Sequence, residues 1–117
     1  MKKILLLLSI LFIALGAKAQ GNLQFNQVIA GAVSISPGSV TGALIVPTGK
    51  VWKIENVNFS NTSIGMQINS LEVTINNCRF PFWLKAGDTF SLRNTYTGTG
   101  ASAYICQYSI IEFNIIP

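Results

Sequence analysis

The sequence predicts a single-domain, all-β protein of about eight strands packed as an antiparallel β-sandwich. Three observations carry this prediction. No stretch after Gln20 has a sustained helical period, and turn residues recur every eight to twelve positions. The segments between the turns are rich in Val, Ile, Phe and Thr. Short strands of this composition at regular spacing are typical of sandwiches and barrels.

The first nineteen residues have the composition of a secretory signal peptide. Lys2 and Lys3 precede a twelve-residue apolar segment, 4–15, and Ala17 and Ala19 offer the small residues that a signal peptidase requires. We expect a helical signal peptide over 1–19, cleavage before Gln20, and a mature domain over 20–117. An uncleaved membrane anchor is the alternative, but spanning a bilayer takes about 20 apolar residues. The mature protein is therefore expected to be secreted, periplasmic or on the cell surface, with no stable membrane anchor.

Removal of the leader leaves a nearly neutral chain. The mature part keeps five basic and four acidic side chains, a net charge of +1. Recognition of nucleic acid needs a clustered basic face, so we exclude that class of partner. Nine charged residues among 98 are also few, since about 25% is usual in soluble domains. A weakly charged surface resists association poorly, which favours self-association, although a plain exported monomer has the same composition.

The eight predicted strands follow one another with short turns between them. Pro37-Gly38, 47–49 and 85–88 mark three of these turns, and the Gly- and Thr-rich segment 97–102 marks a longer loop. Pro81 places the sixth strand at a sheet edge or strand start, because proline cannot donate to a ladder. The predicted strands are 23–30, 40–46, 50–58, 64–68, 71–75, 80–84, 89–94 and 103–116.

Two of these strands have an ambiguous inward face. In the third, Trp52 and Ile54 lie on one face while Val51, Val57 and Phe59 lie on the other, so we expect its first half to be covered on both sides. In the last strand the apolar residues change parity. A β-bulge near 109–111 would restore one continuous inward face, and we predict one there. The two sets of residues are Tyr104, Cys106, Tyr108 and Ile110, and then Ile111, Phe113 and Ile115.

Two segments carry a resemblance to known proteins. They are 46–54, VPTGKVWKI, and 81–89, PFWLKAGDT. Their turn motifs resemble paired segments of small jelly-roll proteins of bacteria and phages. The leader and the isoleucine-rich carboxyl end are similar to small, uncharacterised exported proteins of Gram-negative bacteria. The resemblance covers about two thirds of the mature chain and implies a jelly-roll-like sandwich, and it carries no catalytic residues across.

The composition disfavours an enzyme. The chain has no histidine, which removes the commonest general base and metal ligand, and we expect neither a metal nor a cofactor. Among the four carboxylates, Glu112 is unusual because it lies between apolar neighbours. A hydrolase would need a second carboxylate within about 10 Å of it in an open cleft. Exposed strand faces and turn caps explain these acidic residues more simply.

Cys78 and Cys106 are the only cysteines. A disulfide bond between them would close a loop of about 29 residues and contribute roughly 3.5 kcal/mol, in a compartment where disulfides persist. Two buried, reduced thiols are the alternative. Two thiols are too few for a zinc site.

The aromatic residues supply the candidate binding groups. Trp52 shares its face with Ile54 and is expected in the core. Phe82 and Leu84 share one face of their strand, and Trp83 lies on the other. An exposed Trp83 at a sheet edge would suit a sugar ring or a neighbouring subunit. Burial of Trp83 under a loop is the alternative. Tyr96, at the start of the Gly- and Thr-rich loop, is the second candidate.

Two functions follow from these observations. The first is an exported structural or adhesive protein that self-associates or packs on envelope components. The second is a module that binds a glycan or another small ligand through Trp83, Tyr96 and the loop beside them.

Overall fold

The structure, a computed structural model, describes residues 22–59, 63–73, 79–100 and 102–116. All regular structure in these residues is β, and no described helix is long and apolar enough to cross a membrane. The expected signal peptide lies outside the described residues. The strands are β1 (Asn22–Ile35), β2 (Leu44–Ile45), β3 (Lys50–Phe59), β4 (Ile64–Ile68), β5 (Leu71–Val73), β6 (Phe82–Lys85), β7 (Thr89–Asn94) and β8 (Tyr104–Ile116).

The strands form two four-stranded antiparallel sheets. Sheet A has the order β1-β8-β3-β6, and sheet B has the order β2-β7-β4-β5. Each strand of the first half of the chain pairs with one strand of the second half, since β1 lies beside β8, β2 beside β7, β3 beside β6 and β4 beside β5. The predicted antiparallel β-sandwich is confirmed.

The core lies between the two sheets and draws on both. Sheet A contributes the buried side chains of Trp52, Ile54 and Ile110, and sheet B contributes Met66 and Phe90. Each sheet alone would leave one apolar face in water, so burial of the two faces against each other stabilises the fold. The predicted core position of Trp52 is confirmed, because this side chain is only 5% exposed.

Local turn chemistry fixes the ends of several strands. Asn69 and Ser70 have φ values of 51° and 66°, the left-handed pair that a two-residue hairpin turn between β4 and β5 requires. The Asn69 side chain reaches the turn between β6 and β7, where its Nδ2 donates to Asp88 Oδ1 at 3.0 Å and its Oδ1 accepts from the Thr89 amide at 2.8 Å. Two turns at one end of the sandwich are thereby joined.

The predicted bulge in β8 is wrong in its position. β8 keeps even-numbered residues inward along its length, from Cys106 through Ile110 to Glu112. The extra residue lies in the neighbouring β3, where pairing with β8 passes from Ile54 to Asn56 and leaves Glu55 unpaired. A second irregularity lies in β1, between Phe25 and Gln27.

The bulge in β3 also corrects the prediction for the faces of this strand. The inward side chains are Trp52 and Ile54 before the bulge, and Val57 and Phe59 after it, because the extra residue shifts the alternation by one position. Of the five apolar residues that we assigned to the two faces of β3, only Val51 points outward, where it lies beside Phe113.

The observed strand bounds differ most from the predicted ones at the start of the chain. β4 and β7 have the predicted bounds, whereas β1 continues to Ile35 because β8 pairs with it as far as Tyr104. The predicted second strand is reduced to Leu44–Ile45, and Val40 makes only an isolated bridge with Arg93.

Candidate binding surface: the outer face of sheet A

The outer face of sheet A is the side that points away from sheet B. Its side chains form rows across the strands, as the register of the four strands defines them. One row begins at Phe25 and a second at Val28. The first is Phe25, Phe113, Val51 and Lys85, and the second is Val28, Ile111, Lys53 and Trp83.

Most side chains of these rows are apolar, and together with the neighbouring Leu23 and Ile115 they form what we call the apolar half of the face. Phe25 is 60% exposed, and Val28, Leu23 and Ile115 are also exposed. At about 4.8 Å between strands and about 3.3 Å per residue, the apolar half covers on the order of 300 Å². Apolar patches of this size on a monomer are often functional.

Trp83 is the largest side chain of the apolar half. It is 53% exposed, and its ring centroid lies 5.7 Å from that of Phe113, two strands away. The ammonium group of Lys53 lies 5.7 Å from the indole centroid and makes an ion pair with Glu55 at 2.5 Å. Sequence parity placed Trp83 opposite Phe82 and Leu84, and the structure agrees, because Leu84 is buried and Trp83 projects from the outer face.

The other half of the same face carries small and polar side chains. Two rows, one starting at Ala30 and one at Ala32, line an open depression of about 450 Å³, here called the polar trough. The trough has short alanine side chains on β1 and amide or hydroxyl groups on β8 and β3. These polar groups are Gln107, Ser109, Asn56 and Asn58.

The outer face of sheet B differs from both halves. Four of its polar side chains form two pairs: Ser91 Oγ donates to Gln67 Oε1 at 3.4 Å, and Arg93 makes an ion pair with Glu72 at 3.5 Å. The apolar side chain of Ile45 is exposed on the same face. Such paired polar groups are typical of a face that stays in water. The two faces of the sandwich are therefore chemically distinct, and among the described residues it is sheet A that presents aromatic side chains outward as a group.

The second candidate residue, Tyr96, is not part of this surface. It follows β7 in sheet B, and its amide donates to Asn94 Oδ1 at 3.0 Å. The Asn94 amide group in turn donates to the Ile35 carbonyl at the end of β1, whereas Trp83 pairs with Lys53 near the opposite end of sheet A. The structure does not bring Trp83 and Tyr96 together, so they cannot form one ligand site.

Glu112 lies in the core at one end of the sandwich and is only 3% exposed. Its Oε1 accepts hydrogen bonds from the side-chain amides of Asn26 at 2.6 Å and Gln27 at 3.0 Å. Its Oε2 accepts from Trp52 Nε1 at 2.8 Å. The bulge in β1 explains why two consecutive amides reach one oxygen, since two residues there oppose one on β8.

The charge of Glu112 is compensated within this network. The Lys50 ammonium group lies 3.9 Å from Glu112 Oε1, and it also donates to Asn114 Oδ1. Burial alone would raise the pKa of Glu112, but the three hydrogen bonds and Lys50 outweigh it, and the pKa is lowered. A carboxylate that is buried and held ionised by four partners is suited to holding β1, β3 and β8 together. It does not lie in the open cleft that the hydrolase hypothesis requires.

Of the two cysteines, only Cys106 lies among the residues that the structure describes. Cys106 is a free, fully buried thiol, and burial raises its pKa to about 11. The candidate disulfide also needs Cys78, which lies outside the described residues, so the choice between a bridge and two reduced thiols stays open. No group of three or more metal-ligating side chains occurs in the part of the chain that the structure describes.

Sequence reasoning found Trp83 but missed the rest of the surface. Ile111, Phe113 and Ile115 carry a signal, since they are apolar residues at every second position of β8. The predicted bulge turned them inward, and this error concealed the apolar half.

Comparison of the chain with protein families, with curated proteins and with solved structures finds no match.

Proposed function

We propose that the mature chain is an exported, non-enzymatic structural protein that associates with copies of itself through the outer face of sheet A. The observation that supports this most directly is the contrast between the two outer faces. On sheet B the polar side chains are paired with one another, whereas on sheet A the apolar half has no described neighbour to cover it.

The order of the strands supports a more specific fold. We infer a jelly roll, because β1 to β8 pair as the two arms of one long hairpin folded over on itself, with β4 and β5 at its tip. Jelly rolls serve as building blocks in several assemblies, although a fold alone does not define a function. Export rests on the signal-peptide pattern of residues 1–19.

The size of the apolar half limits the strength of this contact. About 300 Å² per copy is well below the roughly 800 Å² per partner of a stable interface. A contact through this face alone is therefore weak. It becomes significant at high local concentration or together with a second contact in a multivalent assembly.

Sedimentation velocity of the mature chain over a wide concentration range tests this proposal. We expect reversible association in the wild type and a clear loss of it in Phe25→Ser/Val28→Ser, which makes two exposed positions of the apolar half polar. Ile45→Ser/Leu71→Ser is the matched control, because both residues are exposed on sheet B, Leu71 by 73%. Equal association of the two double variants, or a wild type that stays monomeric, would contradict the proposal.

The polar trough favours a second candidate function, the binding of a small glycan. Amide groups of Asn56, Asn58 and Gln107 can both donate to and accept from sugar hydroxyls, and the adjacent alanines leave space for a ring. Titration calorimetry with a panel of neutral oligosaccharides tests it. Binding that is lost in Asn56→Ala/Gln107→Ala supports the trough, and no heat with any sugar at millimolar concentration argues against it.

A further inference from the structure

The edge strand β1 lacks the features that normally protect a sheet edge. It is the outermost strand of sheet A, fourteen residues long, and contains neither a charged residue nor a proline. Native proteins commonly block an exposed edge with lysine, proline, a bulge or a very short strand. β6, at the opposite edge, is only four residues long, follows Pro81 and carries Lys85. In β1 the one irregularity lies at Asn26, which leaves Gln27–Ile35 as a regular strand.

The inner side of β1 is also incompletely covered. The facing edge strand in sheet B, β2, has only two residues, so Ile29 and Val33 remain half-buried. Beside Val33 an opening of about 190 Å³ leads between the sheets, with Leu44, Phe90 and Leu92 in its wall. A strand added to β1 would place alternate side chains over this opening.

We propose that β1 pairs antiparallel with β1 of a second copy, centred on Gly31. This inference rests on the proposed self-association and adds, at the edge of sheet A, a second contact beside the weak one through the outer face. Gly31 is the midpoint of the regular segment 27–35, so a two-fold axis there gives the longest uninterrupted pairing. Ile29 then faces the Val33 of the second copy on the inner side, and Ala30 faces its Ala32 on the outer side.

The chemistry of β1 favours a second copy as the partner. A strand without charges meets its own symmetry mate without like-charge repulsion, and the pairing of Ile29 with Val33 covers the opening between the sheets. Nine residues per strand give about nine backbone hydrogen bonds, close to the roughly ten of a typical interface. The result is an eight-stranded sheet in which the two polar troughs meet and the two apolar halves, at its ends, remain free to bind further copies through the outer face.

Hydrogen exchange of the mature chain, followed by NMR in concentrated and dilute samples, tests this geometry. Within 27–35, alternate amides bond to β8, and the others point away from the sheet. We expect the second set to exchange at least about tenfold more slowly in the concentrated sample. Association without this protection would overturn the edge pairing and leave the proposed function intact. Absence of association at every concentration would overturn both.

A charge-exchange experiment provides an independent test. Ala30→Lys/Ala32→Lys and Ala30→Glu/Ala32→Glu place like charges opposite each other across the two-fold axis, on side chains that are exposed in one copy. We expect each variant alone to lose the protection of the outward amides, with an unchanged circular dichroism spectrum. An equimolar mixture of the two should regain it. A mixture that behaves like the separate variants would contradict the proposed register.

Discussion

The indole nitrogen of Trp52 donates a hydrogen bond of 2.8 Å to Glu112 Oε2, and both side chains are buried between the sheets. These residues lie directly opposite each other on β3 and β8. The bond satisfies the one polar atom of a large apolar side chain and one oxygen of a buried charge. It therefore couples the position of the aromatic core to the ionisation of Glu112.

Replacement of Glu112 with glutamine tests this coupling. Glu112→Gln keeps the shape but places an amide donor among the donors of Trp52, Asn26 and Gln27. We expect the free energy of unfolding in urea at neutral pH to fall by about 2–4 kcal/mol. Glu72→Gln, at an exposed carboxylate paired with Arg93, is the matched control and should change it by less than about 1 kcal/mol. Equal losses in the two variants would show that the network contributes no special stability.

The pH dependence of stability should report the same carboxylate. The folded protein holds the pKa of Glu112 below the value of about 4.3 in an unfolded chain, so this residue contributes stability above that pH. The contribution is lost as the pH falls below about 5 through the folded pKa. Urea unfolding between about pH 7 and pH 3 should therefore show a shallower loss in Glu112→Gln than in the wild type. Asp88, whose pKa is lowered by hydrogen bonds from Asn69 and the Lys85 amide, leaves a residual slope in both proteins. Parallel curves would contradict the assignment.

Gly31 should not tolerate a side chain. A Cβ at this position would lie 2.5 Å from the Tyr108 hydroxyl oxygen and 2.6 Å from the ring carbon that bears it. The Tyr108 ring packs edge-on against Phe90, which restricts its movement, so we expect Gly31→Ala to lower the free energy of unfolding by about 1–3 kcal/mol. Gly42→Ala is the control, because no atom lies within 4 Å of its added Cβ. Thermal or urea denaturation of the two variants measures the difference, and equal stabilities would show that the ring moves aside freely.

The thiol of Cys106 should be inert in the folded protein. It is fully buried and its pKa is raised to about 11, so only about 0.1% would be ionised at pH 8 even with access to solvent. In Cys78→Ser, where the remaining signal belongs to Cys106, we expect labelling by a thiol reagent only after denaturation. Rapid labelling of the native variant would contradict the described packing. Non-reducing mass spectrometry of the wild type separately tests whether Cys106 is bridged to Cys78.

The sequence allowed the architecture to be predicted, because strand spacing and two-residue alternation are local properties. The fourth and seventh strands were predicted within their observed bounds for this reason. The bulge was assigned to β8, where Ile110 and Ile111 break the alternation, although the extra residue is Glu55 in β3. A change of parity in one strand cannot indicate which of two paired strands holds the extra residue, since that depends on their register.

The candidate surface was predictable only in part. Pro81 and the parity of β6 left an exposed Trp83 as one of two alternatives, beside burial under a loop. The row that joins Phe25 to Phe113 and Val51 needs the pairing of three strands distant in sequence. The same holds for Tyr96, which is close to Trp83 in the chain and far from it in the fold. Long-range register, and not local propensity, decides which exposed aromatics share a surface.

Collisional quenching of tryptophan fluorescence by iodide tests the central claim, that the outer face of sheet A is covered by a second copy, most directly. The chain has two tryptophans: Trp52 is buried, and Trp83 is 53% exposed in one copy. At constant ionic strength, we expect an iodide-accessible component from Trp83 in dilute protein that disappears as concentration rises through the association range. An accessible component that stays constant while the protein associates would show that a different surface is used.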